Sequence, residues 1–188
     1  MQILLARRED TYQQLMKGAV DSIECRWFAQ MLASLNVGLG ALPSSLGLTP
    51  VQFEQLVAQC FPQLDFMPRA QNETTLDFDR MNEKDDLDVF LNSYAKTQDE
   101  HTNWVIIILI AACFGNDHLW QDLGLWHRDD LSAMLAHYFP QLAESNVYDM
   151  KWKKFIYKQL CETGGHYVCR MPSCEYCPDY LSCFGDED

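Results

Sequence analysis

Apolar residues recur at intervals of three and four along most of this chain, and this spacing is the feature that most limits its fold. The series Ile23, Trp27, Met31 and Leu35 is one example. Such intervals place side chains on one face of a helix, whereas a half-buried strand requires strict alternation. The chain has 188 residues, enough to bury a core without a disulfide or metal staple. We therefore predict an all-α fold, in the form of a helical bundle.

The spacing and the capping residues together predict where the helices lie. Thr11 followed by Gln14, and Thr49-Pro50 followed by Gln52, are predicted starts, because a hydroxyl accepts an orphan amide hydrogen. Proline at the first helical position has no amide hydrogen to leave unpaired. The predicted helices cover residues 12–35 with a break near Gly18, 50–61, 82–95, 103–114, 129–138 and 149–162.

One short pattern occurs twice in the sequence. A Leu-Gly-Leu segment precedes a predicted helix that ends in Phe-Pro-Gln-Leu, first at residues 46–64 and again at residues 123–142. The repetition predicts two related helical hairpins, around residues 25–64 and 104–142, each burying a face against the other.

The helix-forming pattern stops at Gly164-Gly165, where a cysteine-rich segment begins. We predict a helical domain over residues 1–163 and an irregular four-cysteine loop over residues 164–188 that packs on it.

Charge and hydropathy exclude two classes of partner. The chain carries 27 acidic and 14 basic residues, a formal charge of −13, which opposes binding to a phosphate backbone. The longest apolar run, from Trp104 to Phe114, is about half of the roughly 20 residues that a membrane span needs. The first ten residues lack the long apolar region of a secretory signal. We expect no nucleic acid, no membrane and a cytoplasmic location.

Four cysteines lie close together near the carboxyl end, in the pattern Cys169-x4-Cys174-x2-Cys177-x5-Cys183. In a reducing compartment, such a group is expected to hold a metal rather than to form disulfides. Zinc modules pair two short knuckles across a long spacer, which is missing here. The first two spacings instead match those of plant-type ferredoxins. The pattern favours an iron–sulfur cluster and leaves a structural zinc site open.

The other four cysteines have a different setting. Cys25, Cys60 and Cys113 lie inside apolar helical segments, so we expect packed thiols that act as small core hydrophobes. Cys161 ends the last predicted helix and is either a packed thiol or an additional cluster ligand.

Several segments of the second half form a recognisable set together with the four clustered cysteines. These segments are His118-Leu119-Trp120-Gln121-Asp122-Leu123-Gly124-Leu125, Trp152-Lys153-Lys154-Phe155, Tyr157, Gln159-Leu160-Cys161-Glu162, Pro172-Ser173, Asp179-Tyr180 and Phe184-Gly185. The set resembles the NifQ family of molybdenum-delivery proteins for nitrogenase cofactor synthesis, and the cysteine spacing is the hallmark of the resemblance.

The resemblance implies a carrier and not an enzyme. Such a protein holds an iron–sulfur cluster of the 3Fe-4S or 4Fe-4S type and takes up molybdenum as a molybdenum–iron–sulfur cluster. Its implied partners are molybdate or another molybdenum donor and the cofactor-assembly proteins of nitrogenase, namely the scaffold and the iron protein. A three-iron cluster has one vacant corner at which its sulfides can take a fourth metal, and soft sulfur ligands suit reduced molybdenum.

The candidate ligands for iron and molybdenum are Cys169, Cys174, Cys177 and Cys183. A carrier must also release its cargo, so an exchangeable ligand is useful, and His118, Cys161 and His166 are candidates for that role. Two other functions stay open at this point: a helical interaction module with a structural four-cysteine zinc site, and a simple iron–sulfur electron carrier.

A basic stripe precedes the cysteine loop. Lys151, Lys154 and Lys158 recur at helical spacing on one face of the last predicted helix. The stripe is either a solvated face or, in so acidic a protein, a docking site for molybdate or an acidic partner.

Overall fold

The computed structural model describes residues 2–65, 83–163 and 180–184, and these residues form helices and connecting turns with no strand. The prediction of an all-α fold is thus confirmed for this part of the chain. The helices are α1 (Gln2–Met16), α2 (Ile23–Asn36), α3 (Pro50–Cys60), α4 (Lys84–Tyr94), α5 (Glu100–Cys113), α6 (Leu119–Asp122), α7 (Arg128–Tyr138), α8 (Pro140–Ser145), α9 (Trp152–Thr163) and α10 (Tyr180–Phe184).

The first predicted helix is two helices, and its predicted start is wrong. The chain breaks after Met16, close to the predicted position, but α1 already begins at Gln2. Thr11 lies inside α1, where its hydroxyl donates to the carbonyl of Arg7 at 2.9 Å. Only Thr11 and Leu15 of α1 are buried, and the apolar residues of its first turn, Ile3, Leu4 and Leu5, are exposed. The first half of this helix therefore has no continuous buried face to mark its start.

The second predicted start is confirmed. Thr49 caps α3, because its side chain accepts the backbone N–H of Gln52 while the Gln52 side chain accepts the N–H of Thr49 at 3.1 Å. Proline occupies the first helical position, as expected.

The two Phe-Pro-Gln-Leu segments begin with the same backbone conformation at their phenylalanine. Phe61 ends α3 with φ −131° and ψ 59°, and Phe139 ends α7 with φ −132° and ψ 59°. Each phenylalanine N–H donates to the carbonyl four residues earlier, and both rings are buried. Beyond the phenylalanine the copies differ, because residues 62–64 form a turn whereas Pro140 begins α8. The relation of the two hairpins stays a prediction.

The core is built around α5. Nine of its residues are buried, from Thr102 to Ala112, as expected for a helix that is apolar on every side. α4 and α6 pack on it, while α2 packs on α1 and α7. No helix in the described ranges combines the length and the apolar character needed to cross a membrane.

The prediction that Cys25 and Cys60 are separate packed thiols is wrong in one respect. Both residues are buried, at 2% and 0% exposure, but they form a disulfide that joins α2 to α3, with 5.2 Å between their Cα atoms. A helical pattern shows that a cysteine faces the core, but it does not show which residue lies opposite.

Candidate metal site at the carboxyl-terminal helices

The last described helix, α10, brings Cys183 to the start of α9. The backbone N–H of Lys151 donates to the Cys183 carbonyl at 2.8 Å, and the Lys151 ammonium donates to the carbonyl of Leu181 at 3.1 Å. Cys183 is half-buried, and it packs against the core together with Phe184. One predicted ligand is therefore held on the helical domain by backbone contacts.

The other predicted loop ligands, Cys169, Cys174 and Cys177, lie outside the described residues, as does His166. Within the described ranges, no three histidine, cysteine or carboxylate side chains come together as a metal-ligand set.

Cys161 lies near the opposite end of α9 from Cys183. Cys161 is nine residues after Trp152 in α9. At 1.5 Å per residue, the two residues are about 14 Å apart along the helix axis. The two cysteines are thus attached near different ends of α9, and the role of Cys161 as an additional ligand stays a prediction. The Cys161 thiol is half-buried and is not in a disulfide.

His118 lies at the start of α6. Its backbone N–H donates to the Gln121 side chain at 3.2 Å, and its carbonyl accepts the N–H of Asp122 at 2.9 Å. These backbone contacts are those of a residue at a helix terminus, and the role of His118 as an exchangeable ligand stays a prediction.

A buried ion pair that the sequence analysis missed fixes α9 against the turn between α5 and α6. The Lys153 ammonium contacts the Asp122 carboxylate and donates to the carbonyls of Gly115 at 3.0 Å and Asp117 at 2.9 Å. The Asp122 side chain is only 2% exposed. Three acceptors satisfy the three ammonium hydrogens, so this interaction positions the helix that leads into the cysteine loop.

Gly115 leaves room for that ion pair. A Cβ at this position would lie 2.1 Å from Oδ1 of Asp122, far inside contact distance. We expect Gly115→Ala to lower the free energy of unfolding by about 1–3 kcal/mol, the usual cost of overpacking, because the carboxylate must leave Lys153. Urea unfolding followed by circular dichroism measures this. Gly18→Ala, where the close neighbour is the side chain of Gln63, is the control and should cost less.

Cys113, at the end of α5, behaves as the sequence predicts. Burial raises the pKa of its thiol to about 12; nearby Lys153 lowers that pKa and Asp122 raises it. Cys113 also packs against the buried core, as expected for a packed thiol.

The predicted lysine stripe is partly used within the fold. Lys151 donates to the Leu181 carbonyl, and Lys158 pairs with Glu162 at 2.9 Å, one helical turn away. Lys154 is exposed, and its ammonium has no hydrogen bond or ion pair within the part of the chain that the structure describes. It is the member of the stripe that is most available to an anion.

The described residues thus define an all-helical protein that carries one of its four clustered cysteines at the start of α9. The NifQ family profile matches residues 27–185. A relative named Protein NifQ from Azotobacter vinelandii is 40% identical over 97% of both chains. Relatives of that name from Rhodobacter capsulatus and Klebsiella pneumoniae are 33% and 32% identical, over 85% and 84% of this chain and 86% and 96% of their own. No solved structure matches. The chain belongs to the NifQ family, which is associated with nitrogen fixation.

Proposed function

We propose that this protein is an iron–sulfur carrier that captures molybdenum in a molybdenum–iron–sulfur cluster and donates it to nitrogenase cofactor assembly. The observation that carries the proposal is the family match, because residues 27–185 include all four clustered cysteines. The proposed ligands are Cys169, Cys174, Cys177 and Cys183, and the proposed partners are a molybdenum donor, the assembly scaffold and the iron protein.

The donor set is suited to such a cluster, since cysteine thiolates are its usual protein ligands. The backbone of Cys183 is already held in position, because its carbonyl accepts a hydrogen bond from the Lys151 N–H just before α9. A ligand that is already positioned loses less conformational freedom when it binds. When bound, a cluster with a vacant corner supplies sulfides for a fourth metal.

The role of the helical domain is to hold this end of the loop. α9 is fixed at its first turn by Lys153, and the Trp152 indole N–H donates to the Ser132 hydroxyl of α7 at 2.9 Å. The half-buried position of Cys183 limits its contact with water, which protects thiolates from oxidation. In this proposal the protein transfers a metal cargo and turns over no organic substrate.

The test is iron, sulfide and molybdenum analysis of anaerobically purified protein, with electron paramagnetic resonance before and after molybdate is added with a reductant. We expect iron and sulfide in the resting protein and a signal that changes as molybdenum enters. One zinc per chain with no sulfide, even after reconstitution with iron, would support a structural zinc site instead. A four-iron cluster that never takes up molybdenum would support an electron carrier.

Lys154 provides a test of how molybdate approaches. We expect Lys154→Glu to slow molybdenum loading several-fold at low salt and to have little effect at high salt, because surface charges are screened within about 10 Å at 0.1 M. Lys84→Glu is the matched control, since Lys84 is another partly exposed lysine, at the start of α4. Equal loading rates for the wild type and Lys154→Glu would show that the lysine stripe is a solvent-exposed helix face that does not attract molybdate.

A further inference from the structure

The Cys25–Cys60 disulfide joins the first turn of α2 to the last residue of α3. The Cys25 N–H donates to the Ser22 hydroxyl at 3.2 Å, and the Cys60 carbonyl accepts the N–H of Val20 at 2.9 Å. Both cysteines are buried, but each lies at a helix end, and helix ends open more readily than helix centres. A local opening of these two ends, without unfolding of the core, therefore exposes the sulfur atoms.

The end of α3 is held on the bundle by few buried groups. Six of the eleven residues of α3 are exposed, and Leu56 and Cys60 are its buried residues. Phe61, which follows the helix, is also buried. The Gln59 side chain donates to the Glu100 carboxylate at 2.9 Å, but this hydrogen bond is exposed to water. The disulfide is the covalent link in this set, so it contributes strongly to holding this end of α3.

The two cysteines differ in their electrostatic setting. Cys25 lies near the positive end of the α2 dipole, which stabilises a thiolate, whereas Cys60 lies at the negative end of the α3 dipole. The neighbouring carboxylate of Glu24 is 3.0 Å from Nε2 of His137, which limits its opposing effect. The sulfur that forms the more stable thiolate leaves faster in thiol–disulfide exchange. We therefore expect an attacking thiol to bond to the Cys60 sulfur and Cys25 to leave.

The redox setting rests on the proposed function. A carrier whose cluster is held by cysteine thiolates works where thiols are kept reduced, and disulfides in such a compartment are usually transient, catalytic or redox-sensing. Cys25 also precedes residues 27–185, which the family profile matches, so the pair lies partly outside that match. A disulfide in this chain is thus exposed to the cellular thiol pool, and the cluster does not explain it.

We propose that Cys25 and Cys60 form a reversible redox pair, and that a glutathione-type thiol reduces the pair and releases the end of α3 from α2. In the first step, a glutathione thiolate attacks the Cys60 sulfur, a mixed disulfide forms, and the electron pair of the broken bond stays on the Cys25 sulfur. A second glutathione thiolate attacks the glutathione sulfur of the mixed disulfide, which yields glutathione disulfide and the Cys60 thiolate. Each protein sulfur takes the proton that one glutathione thiol lost. Two electrons pass from two thiols to the protein disulfide, and oxidation by glutathione disulfide is the reverse.

The two redox states differ in how firmly α3 is attached. The oxidised state ties together residues that are 35 positions apart, which restricts the unfolded chain and so stabilises the folded one. In the reduced state, Cys25 and Cys60 are two packed thiols, and the end of α3 depends on Leu56, Phe61 and the Gln59 hydrogen bond. Reduction should therefore increase the opening of α3, while the core helix α5 stays closed.

Alkylation of the full-length protein, read peptide by peptide, tests the reversibility. The protein is equilibrated anaerobically with glutathione buffers of different thiol-to-disulfide ratio, free thiols are alkylated, and mass spectrometry reads Cys25 and Cys60 separately from the loop cysteines. We expect both thiols to appear together, with a midpoint inside the range of glutathione poises found in the cytosol. A pair that stays oxidised at every ratio, or reduced at every ratio, would overturn the proposal. Iron and sulfide analysis of the same samples reports on the cluster, so a failure of the proposed function gives a different result.

Hydrogen exchange measures the release of α3. We expect the amides in the last two turns of α3 to exchange about tenfold or more faster in the reduced state, and those of α5 to be unchanged. Cys25→Ala and Cys60→Ala should each give the fast exchange at every glutathione ratio. Cys161→Ala is the matched control, because it removes a thiol outside the disulfide, and it should keep the redox dependence. Circular dichroism checks that each variant is folded. Equal exchange of α3 in the two redox states would show that the disulfide does not control its attachment and would contradict the proposal.

Discussion

Replacing Cys183 with alanine is expected to remove most of the iron and sulfide from anaerobically purified protein. Cys183 is the candidate ligand that the fold holds in place, through the Lys151 N–H and the packing of α10 on the core. Removing a thiolate ligand that the fold already positions should lower the affinity for the cluster by about tenfold or more. Colorimetric iron and sulfide analysis, with the visible absorption spectrum, measures the loss directly.

Cys161→Ala is the matched control for this experiment. Cys161 is a half-buried thiol outside any disulfide. It lies about 14 Å along the helix axis from Trp152, the first residue of α9. We expect this variant to keep its iron and sulfide at the wild-type level. A cluster that survives Cys183→Ala, or that is lost equally in Cys161→Ala, would contradict the proposed ligand set. Thermal unfolding of both variants separates loss of the cluster from loss of the fold.

The parts of the fold that sequence could predict are those governed by local chemistry. The cap of α3 depends on Thr49, Pro50 and Gln52, which are neighbours in the chain, and it is confirmed. The four short or exposed helices α1, α6, α8 and α10 carry little or no apolar stripe, so periodicity either missed them or misplaced their ends. The Cys25–Cys60 disulfide depends on the contact between two helices, which no local pattern contains.

The same distinction applies to the cysteine loop and to the ion pair that positions α9. The cysteine loop is apparent from sequence because its four candidate ligands lie within 15 consecutive residues. The Asp122–Lys153 pair spans 31 residues, and its lysine lies next to the predicted stripe member Lys154. Only the packing of α9 shows which of these lysines is partly buried.

The second large effect is expected at that ion pair. Lys153→Met leaves the Asp122 carboxylate, 2% exposed, without its counter-charge in the core. Breaking a buried pair by removing one partner costs about 3–5 kcal/mol, a large share of the 5–15 kcal/mol that stabilises a typical domain. Urea unfolding should show this loss as a lower midpoint with an unchanged slope.

A double-mutant cycle distinguishes this interaction from general damage to the core. In Lys153→Met/Asp122→Leu no buried charge remains, so we expect the double variant to lose clearly less stability than the sum of the two single variants. Lys158→Met is the control, because its partner Glu162 is exposed and such pairs contribute about 1 kcal/mol or less. If the two single effects simply add, Lys153 and Asp122 do not stabilise each other. α9 would then be positioned by its apolar face, Trp152, Phe155 and Ile156.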